Sequence, residues 1–261
     1  MLIDGKRIAR TIFDELRAQP TPDKKMIAVV ASDDPALARF LRLKGKFAAE
    51  LGVLFALHTF SSRSTTDELC RAVKTFSDDP AVGAVIIELP LSRHIDARAV
   101  LNAVPPSKDP EGLSFGSLGL PPAAATVRTI LDELHVQDLQ KKQATIVGAG
   151  PLVGQPVAHW LEGRVKHVTV LRSSSTDEER QAALCVADII VTGVGKPALV
   201  TGTMITPGAI VIDFGYPADA DWKSIDAAGG VVTPTPGGTG PILIAELFRN
   251  FYLQSNDFRS R

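Results

Sequence analysis

Lys142-Gln143-Ala144-Thr145-Ile146-Val147, with a strand pattern over Ala144 to Val147, runs directly into Gly148-Ala149-Gly150-Pro151-Leu152-Val153-Gly154. A strand that ends on glycines just ahead of a helix brings backbone N–H groups close to a pyrophosphate, and the helix dipole adds attraction for the anion. The spacing here is G-x-G-x-x-x-G, one residue longer than the usual dinucleotide fingerprint. A glycine turn by itself can serve only a tight connection. With the strand pattern before it and a helix pattern after it, the turn points to a Rossmann-like dinucleotide-binding half over about Gln143 to Pro241. The following strand pattern, His167 to Leu171, ends at Arg172-Ser173, and the first acid beyond it is Asp177. An NAD site places an acid near that position for the ribose 2′-hydroxyl, whereas an arginine suits a 2′-phosphate, so NADP is the expected cofactor. The alternative is that Arg172 is a solvated loop residue.

The rest of the chain alternates in the same way. Met26 to Ala31 and Val53 to Phe60 have strand patterns, and Ala36 to Leu51 between them has apolar residues at helical spacing, closed by Gly52. Thr65-Thr66-Asp67-Glu68 has the capping-box pattern and opens a helix to about Phe76. Val82 to Ile87 is apolar on both faces, as a buried parallel strand is. In the second half, strands are expected over Ala144–Val147, His167–Leu171, Ile189–Thr192, Ile210–Phe214 and Gly230–Val232. The expected fold class is α/β with two lobes and a cleft between them. An N-terminal α/β catalytic lobe covers 1–120 and is completed by a C-terminal helix at 241–261. A Rossmann-like lobe with a parallel sheet covers 121–240, and a Gly/Pro/Ala-rich boundary lies between Gly116 and Ala125, followed by a helix from about Thr126 to Leu134. Ser255 to Arg261 is polar and expected to fray.

A chain of 261 residues is long enough for two such lobes. A net charge of −1 argues against a nucleic-acid partner, which calls for a basic face. No apolar run approaches the roughly 20 residues that span a bilayer, so no membrane association is expected. Met1 to Lys6 lacks the charged and apolar regions of a signal peptide, and Cys70 and Cys185 sit far apart in apolar-periodic segments. Both cysteines read as reduced core residues of a cytoplasmic protein. The five histidines show no ligand spacing, so no metal site is expected.

Further segments occur in a fixed order. Asp33-Asp34-Pro35-Ala36 precedes Phe40-Leu41-Arg42-Leu43-Lys44; Ile87-Glu88-Leu89-Pro90-Leu91 ends a strand; Pro106-Ser107-Lys108-Asp109-Pro110-Glu111-Gly112 follows. Gly193-Val194-Gly195-Lys196-Pro197 and the long Thr233-Pro234-Thr235-Pro236-Gly237-Gly238-Thr239-Gly240-Pro241 come after Gly148–Pro156. Together these resemble the bifunctional methylenetetrahydrofolate dehydrogenase/methenyltetrahydrofolate cyclohydrolase family over nearly the whole chain. The resemblance implies hydride transfer from 5,10-methylenetetrahydrofolate to NADP, giving 5,10-methenyltetrahydrofolate, and then hydrolysis to 10-formyltetrahydrofolate, within one-carbon metabolism and purine biosynthesis. It implies catalytic roles for Lys44, Glu88 and Glu111, and folate contacts from Phe40, Lys44, Ile87, Glu88, Leu89, Glu111, Pro236, Gly237 and Gly238. The cofactor falls to Gly148, Ala149, Gly150, Val153, Gly154, Arg172, Ser173, Gly193, Val194, Gly195 and Tyr216, and the family's usual pairing implies a homodimer through the nucleotide-binding lobes.

This sequence departs from the family pattern where the folate chemistry lies. The tyrosine of the Tyr-x-x-x-Lys helix is Phe40, the glutamine after the strand is Glu88, and the pterin-binding aspartate is Glu111. Pro121-Pro122-Ala123-Ala124 lacks the threonine of the usual Pro-Cys-Thr-Pro, and the segment after Gly215 is short and lacks Gly-Asp-Val. Phe40 can stack on a flat ring but has no hydroxyl; its other reading is core packing on an apolar stripe. A lone helical lysine such as Lys44 is ordinarily solvated, and the surrounding motif is what argues otherwise. If Glu88 lies beside Lys44, it holds the lysine protonated, so ring opening is weak while hydride transfer persists; a second reading gives Glu88 an acid/base role of its own. Asp109 is a second candidate for the pterin, and Lys108–Gly112 also reads as an exposed turn. Two alternatives to the folate enzyme stand: a related NAD(P)-dependent dehydrogenase of another small substrate, and a catalytically silent folate- or nucleotide-binding homologue.

Overall fold

The computed structural model describes residues 1–32, 35–117 and 119–255, with backbone alone at 35, 36 and 39. The chain divides into two compact units, one of Met1–Arg10 with Ala123–Leu243, the other of Thr11–Pro122 with Ile244–Arg261. In chain order the elements are α1 (Gly5–Arg17), β1 (Lys25–Val30), α2 (Pro35–Leu51), β2 (Phe55–Thr59), α3 (Thr66–Asp78), β3 (Val82–Ile87), α4 (Ala97–Asn102), α5 (Pro122–Glu133), β4 (Gln143–Val147), α6 (Gly154–Leu161), β5 (His167–Leu171), α7 (Asp177–Leu184), β6 (Ile189–Thr192), β7 (Ile210–Asp213), α8 (Trp222–Ala227), β8 (Val231–Val232) and α9 (Thr239–Ser255).

In the unit built around residues 11–122, three parallel strands lie in the order β2-β1-β3. β3 is buried at all six positions, which is why its sequence is apolar on both faces. One face of the sheet packs Ile27, Val29, Val85 and Ile87 against Leu69 and Val73 of α3 and Val100 of α4. The capping box that opens α3 is formed as its sequence predicts: Thr65 Oγ1 accepts from the Glu68 N–H, and the Thr65 N–H donates to Glu68 Oε2 at 2.8 Å.

The unit built around residues 123–243 holds a five-stranded parallel sheet ordered β5-β4-β6-β7-β8. From β4 the chain moves outward to β5 and then crosses to β6 on the other side, so the strand order reverses between β4 and β6. In open α/β sheets such a reversal leaves a crevice beyond the carboxyl ends of the strands. The registers put Leu171, Val147, Thr192 and Asp213 in one row across those ends. The smaller sheet reverses in the same way between β1 and β3, with Val29 opposite Ile87.

Several expectations need correction. Residues 1–10 group with the nucleotide-type unit: the Ile3 N–H donates to the Val232 carbonyl at 2.9 Å and the Met1 ammonium reaches the Gly230 carbonyl. α5 begins at Pro122 and not at Thr126; proline suits a first helical turn, and Ala123, Ala124 and Ala125 are buried, so this part of the expected boundary is packed helix. α9 begins at Thr239, whose Oγ1 donates to the Asp213 carbonyl, with Pro241 tolerated in the first turn. Cys185 is exposed and not in a core, because it caps α7 just past the buried Leu184; Cys70 is half-buried, and both are free thiols. α1 carries buried Ile8, Ile12, Phe13 and Leu16 at helical spacing, a pattern present in the sequence that the reading above does not use. Asp33 and Asp34 and the tail beyond Ser255 lie outside the described residues.

Candidate active site

In the smaller-sheet unit, α2 and the carboxyl end of β3 bring Lys44 and Glu88 together. Lys44 lies one turn beyond the half-buried Phe40 on α2, and Glu88 is the first residue past β3, its N–H held by the Val29 carbonyl at 2.9 Å. Lys44 Nζ donates to Glu88 Oε1 at 2.7 Å and to Glu111 Oε1 at 3.3 Å. The side chains of Lys44 and Glu88 are 8% and 6% exposed and that of Glu111 is 18% exposed, so the charges meet largely away from water. Burial alone would lower the lysine pKa, but the charges of Glu88 and Glu111 and their hydrogen bonds override it, and the net direction is upward. Glu111 moves the opposite way from an ordinary paired carboxylate. Burial, with Glu88 and Asp109 as like charges, pushes it up to about 7 against the pull of Lys44. One cation therefore faces two carboxylates, and the cluster carries a net charge of −1 when all three are ionised.

The loop that presents Glu111 is pinned from two sides. Asp109 is buried, its Oδ1 accepting from the Glu111 and Gly112 N–H groups and its Oδ2 from the Ser114 N–H at 2.6 Å. Both oxygens of Asp109 thus bind their own loop, which corrects its standing as a second pterin-binding candidate. From α9, Asn250 Nδ2 donates to the Pro110 and Leu120 carbonyls and Gln254 Nε2 to the Asp109 carbonyl, each at 2.8 Å. Lys108–Gly112 is accordingly no free exposed turn. Ile87 is 2% exposed and its side chain is packed in the core on the α3 face, while Leu89 packs against the same cluster but stays half-buried.

The second constellation lies in the five-stranded unit. β4 runs into Gly148, whose φ is +100°, a conformation that L side chains avoid. A Cβ on Gly154 would stand 1.9 Å from the Gly148 carbonyl oxygen, so only glycine lets α6 start this close to the turn. Val153, the residue before α6, gives the helix no side-chain cap; the Gln155 N–H donates to the Gly150 carbonyl at 3.0 Å and Pro156 has no N–H, so what the turn offers a ligand is the close backbone approach at Gly148–Gly154. Such a cradle of backbone fits a pyrophosphate. Val153, Gly193 and Val194 interlock beside it: a Cβ on Gly193 would lie 3.1 Å from Val153 Cγ1, and one on Gly148 would lie 2.9 Å from Val194 Cγ2. Arg172 and Ser173 are exposed at the end of β5, and Tyr216 is exposed beyond β7. Pro236, Gly237 and Gly238 pack within this unit against Gly5 and Lys6. Asp219, absent from the sequence-based candidates, is buried among these loops. The sequence signal that marks it is an acid four residues after Gly215, in the short segment that lacks the family's Gly-Asp-Val.

A parallel sheet with a glycine cradle at its reversal point, accompanied by a second α/β unit with a buried lysine, defines a two-domain α/β dehydrogenase that takes a dinucleotide. Residues 3–111 match the catalytic domain of tetrahydrofolate dehydrogenase/cyclohydrolase, and residues 121–258 match the NAD(P)-binding domain of the same enzymes. The chain is 36% identical to the bifunctional protein FolD of Halothermothrix orenii over 275 residues, covering 95% of each. Among solved structures it resembles the bifunctional FolD of Campylobacter jejuni (26% identity, TM-score 0.90, 98% of each chain). It also resembles the Trypanosoma brucei methylenetetrahydrofolate dehydrogenase-cyclohydrolase in complex with NADP and an inhibitor (26% identity, TM-score 0.91, 100% of this chain and 99% of that one). The chain belongs to the tetrahydrofolate dehydrogenase/cyclohydrolase family. Among the described residues, no cluster of histidine, cysteine, aspartate and glutamate could hold a metal, and no helix is long and apolar enough to cross a membrane.

Proposed function

We propose that this protein is an NADP-dependent 5,10-methylenetetrahydrofolate dehydrogenase whose hydrolysis of the methenyl product is slow. The observation that carries the second half of the reading is the buried 2.7 Å contact between Lys44 and Glu88, where the family has a neutral glutamine. Gly148–Gly154 and Gly193–Gly195 would hold the pyrophosphate and nicotinamide portions, and Arg172 with Ser173 the 2′-phosphate. When bound, NADP supplies the acceptor for the hydride. The C–H bond of the methylene carbon breaks with its electron pair, and the substrate is left as a cationic N–C–N unit. This step asks the protein for position and a favourable field, not for a base. With Glu111 ionised, above about pH 7, the cluster's net charge of −1 favours the developing cation more than a neutral set would, and Phe40 offers its ring to stack on the folate.

Ring opening asks for more. Water adds to the cationic carbon, a proton must leave the adding water, and a ring nitrogen must later accept one. A lysine that exchanges protons near neutrality serves such a step; one held charged between two carboxylates does not. Glu88 therefore protects the methenyl product from hydrolysis. The test follows NADPH and methenyl absorbance in one cuvette for wild type and Glu88→Gln. The expected result is that methenyltetrahydrofolate accumulates with wild type and that Glu88→Gln opens it about tenfold faster, with less effect on NADPH formation. Fast ring opening by wild type that the substitution leaves unchanged overturns the account; ring opening lost on substitution makes Glu88 the acid/base group. The family resemblance also supports a cytoplasmic homodimer paired through the nucleotide-binding units, with the one-carbon product serving purine biosynthesis. Sedimentation of the purified chain tests the dimer.

A further inference from the structure

Thr192 and Asp213 are opposite residues at the ends of the neighbouring strands β6 and β7. Six residues beyond β7 the chain returns beneath this edge and places Asp219, 0% exposed, against the loop that leaves β6. Asp219 Oδ2 accepts from Thr192 Oγ1 at 2.6 Å and from the Val194 N–H at 2.7 Å, and Oδ1 accepts from the Lys196 N–H at 2.6 Å. Three donors drawn from five consecutive residues converge on one carboxylate, in bonds short enough to be charge-assisted. The carboxylate is itself fixed. Its neighbour Ala220 donates its N–H to Asp213 Oδ2 at 3.0 Å, Gly215 donates to Asp213 Oδ1 at 2.7 Å, and the Val200 N–H donates to the Asp219 carbonyl at 3.1 Å. A Cβ on Gly215 would stand 2.5 Å from Asp219 Cγ, so the turn closes tightly over the side chain.

From above, the same β6 loop interlocks with the glycine cradle through Val194, Gly193 and Val153. The Val194 and Lys196 amides on either side of Gly195 are thus held by one buried anion, while Gly193 and Val194 pack against the β4 turn. Asp219 meets the loop from beneath, while Val194 is 50% exposed on its outer side. We propose that Asp219 is a positioning residue for the dinucleotide, holding the Gly193–Lys196 loop at the spacing from Gly148–Val153 that NADP requires. The inference rests on the reading that NADP binds at the glycine cradle.

The test measures NADP binding directly, by fluorescence titration of the purified full chain, together with amide hydrogen exchange of the β6 loop. Asp219→Asn keeps the shape but gives up the charge and one acceptor. Asp188→Asn is the structural control: Asp188 sits at the opposite end of the same strands, where its Oδ2 accepts from the Gln143 N–H at 2.8 Å. The expected result is that Asp219→Asn weakens NADP binding at least about tenfold, with faster exchange at Val194 and Lys196 and an unchanged KM for methylenetetrahydrofolate. Asp188→Asn lowers Tm but leaves NADP affinity within about twofold, since it alters no group near the crevice. If Asp219→Asn does not fold, Thr192→Val removes one donor and leaves the other two, and a loss of about threefold in NADP affinity is expected. NADP affinity unchanged in a folded Asp219 variant, or unchanged in Thr192→Val where that variant is the one read, overturns the inference alone. A wild type that does not bind NADP overturns the cofactor reading and this inference with it.

Discussion

The two units carry candidate sites of different kinds. In the five-stranded unit the cradle is backbone: Gly148 at φ +100°, Gly154 against the Gly148 carbonyl, and beside them a β6 loop tied down by the buried Asp219 through its Val194 and Lys196 amides. In the smaller-sheet unit the site is charge: one ammonium between two carboxylates, with little exposed surface among them. A backbone cradle depends on a few positions where no side chain fits, and it is indifferent to the rest of the sequence. A charge cluster can be retuned by a single substitution that leaves the fold alone. On the proposed function, the first kind of site preserves the cofactor while the second kind shifts which of two reactions is fast. Glu88 would be such a change, a charged side chain where the family pattern carries a glutamine, at the end of a strand whose six residues are all buried.

The contrast can be broken most severely at Gly154. Any side chain there must displace the Gly148 carbonyl, because its Cβ would lie 1.9 Å from that oxygen. Gly154→Ala is expected to weaken NADP binding by roughly a hundredfold or more, about 2.7 kcal/mol, with folate binding retained. Titration of each ligand separately reads both effects, and an NADP affinity within about threefold of wild type would sink the idea of a backbone cradle. Arg172→Ala probes the one charged contact assigned to the cofactor. Losing a charge-assisted bond to the 2′-phosphate is worth about 1.5–3 kcal/mol, so NADP should bind roughly ten- to a hundredfold more weakly while NAD is unaffected. Equal losses for both dinucleotides would return Arg172 to a solvated loop residue.

The same division governs what the sequence discloses. β3, β5 and β6 match their predicted bounds; β3 and β6 are parallel strands buried at every position and so leave apolar runs, while β5, at the sheet edge and buried only at Leu171, is marked by its β-branched residues. The glycine turn is equally plain, since its chemistry is carried by residue type and spacing. Two boundaries misled for one reason: Pro122 and Pro241 read as breaks, yet each lies in a first helical turn that needs no N–H from it. Lys44, Glu88 and Glu111 were legible through the family pattern, but their contact was not, because it joins residues 44 and 67 positions apart. Of the same motif, Ile87 turns its side chain into the core, Leu89 is half-buried against it, and Glu88 faces Lys44. Asp219 was missed because its role is set by three donors gathered from a different loop.

The smallest effect separates the units through pH. Each holds a buried acid with a raised pKa: Glu111 at about 7, and Asp213 at about 6, where burial and the neighbouring Asp219 outweigh the hydrogen bonds from Ala220 and Gly215. A carboxyl whose folded pKa exceeds its unfolded value keeps its proton in the native state while the unfolded chain has released it. Stability from that group is therefore present below the unfolded pKa, near 4.5 for Glu111 and 3.8 for Asp213, and is lost as pH rises through the folded value. Glu111→Gln cancels the Glu111 contribution and leaves that of Asp213 in place. Between about pH 5 and about pH 8 the Tm of the variant should gain on wild type by a few °C, the gain accumulating from about pH 5 to about pH 7 and levelling off above it, while Asp213 contributes alike to both proteins. A Tm difference that stays flat across this range would mean that Lys44 satisfies both carboxylates fully. The cluster would then hold its two negative charges as tightly as the cradle holds its glycines, and the contrast between a tunable and a fixed site would fail.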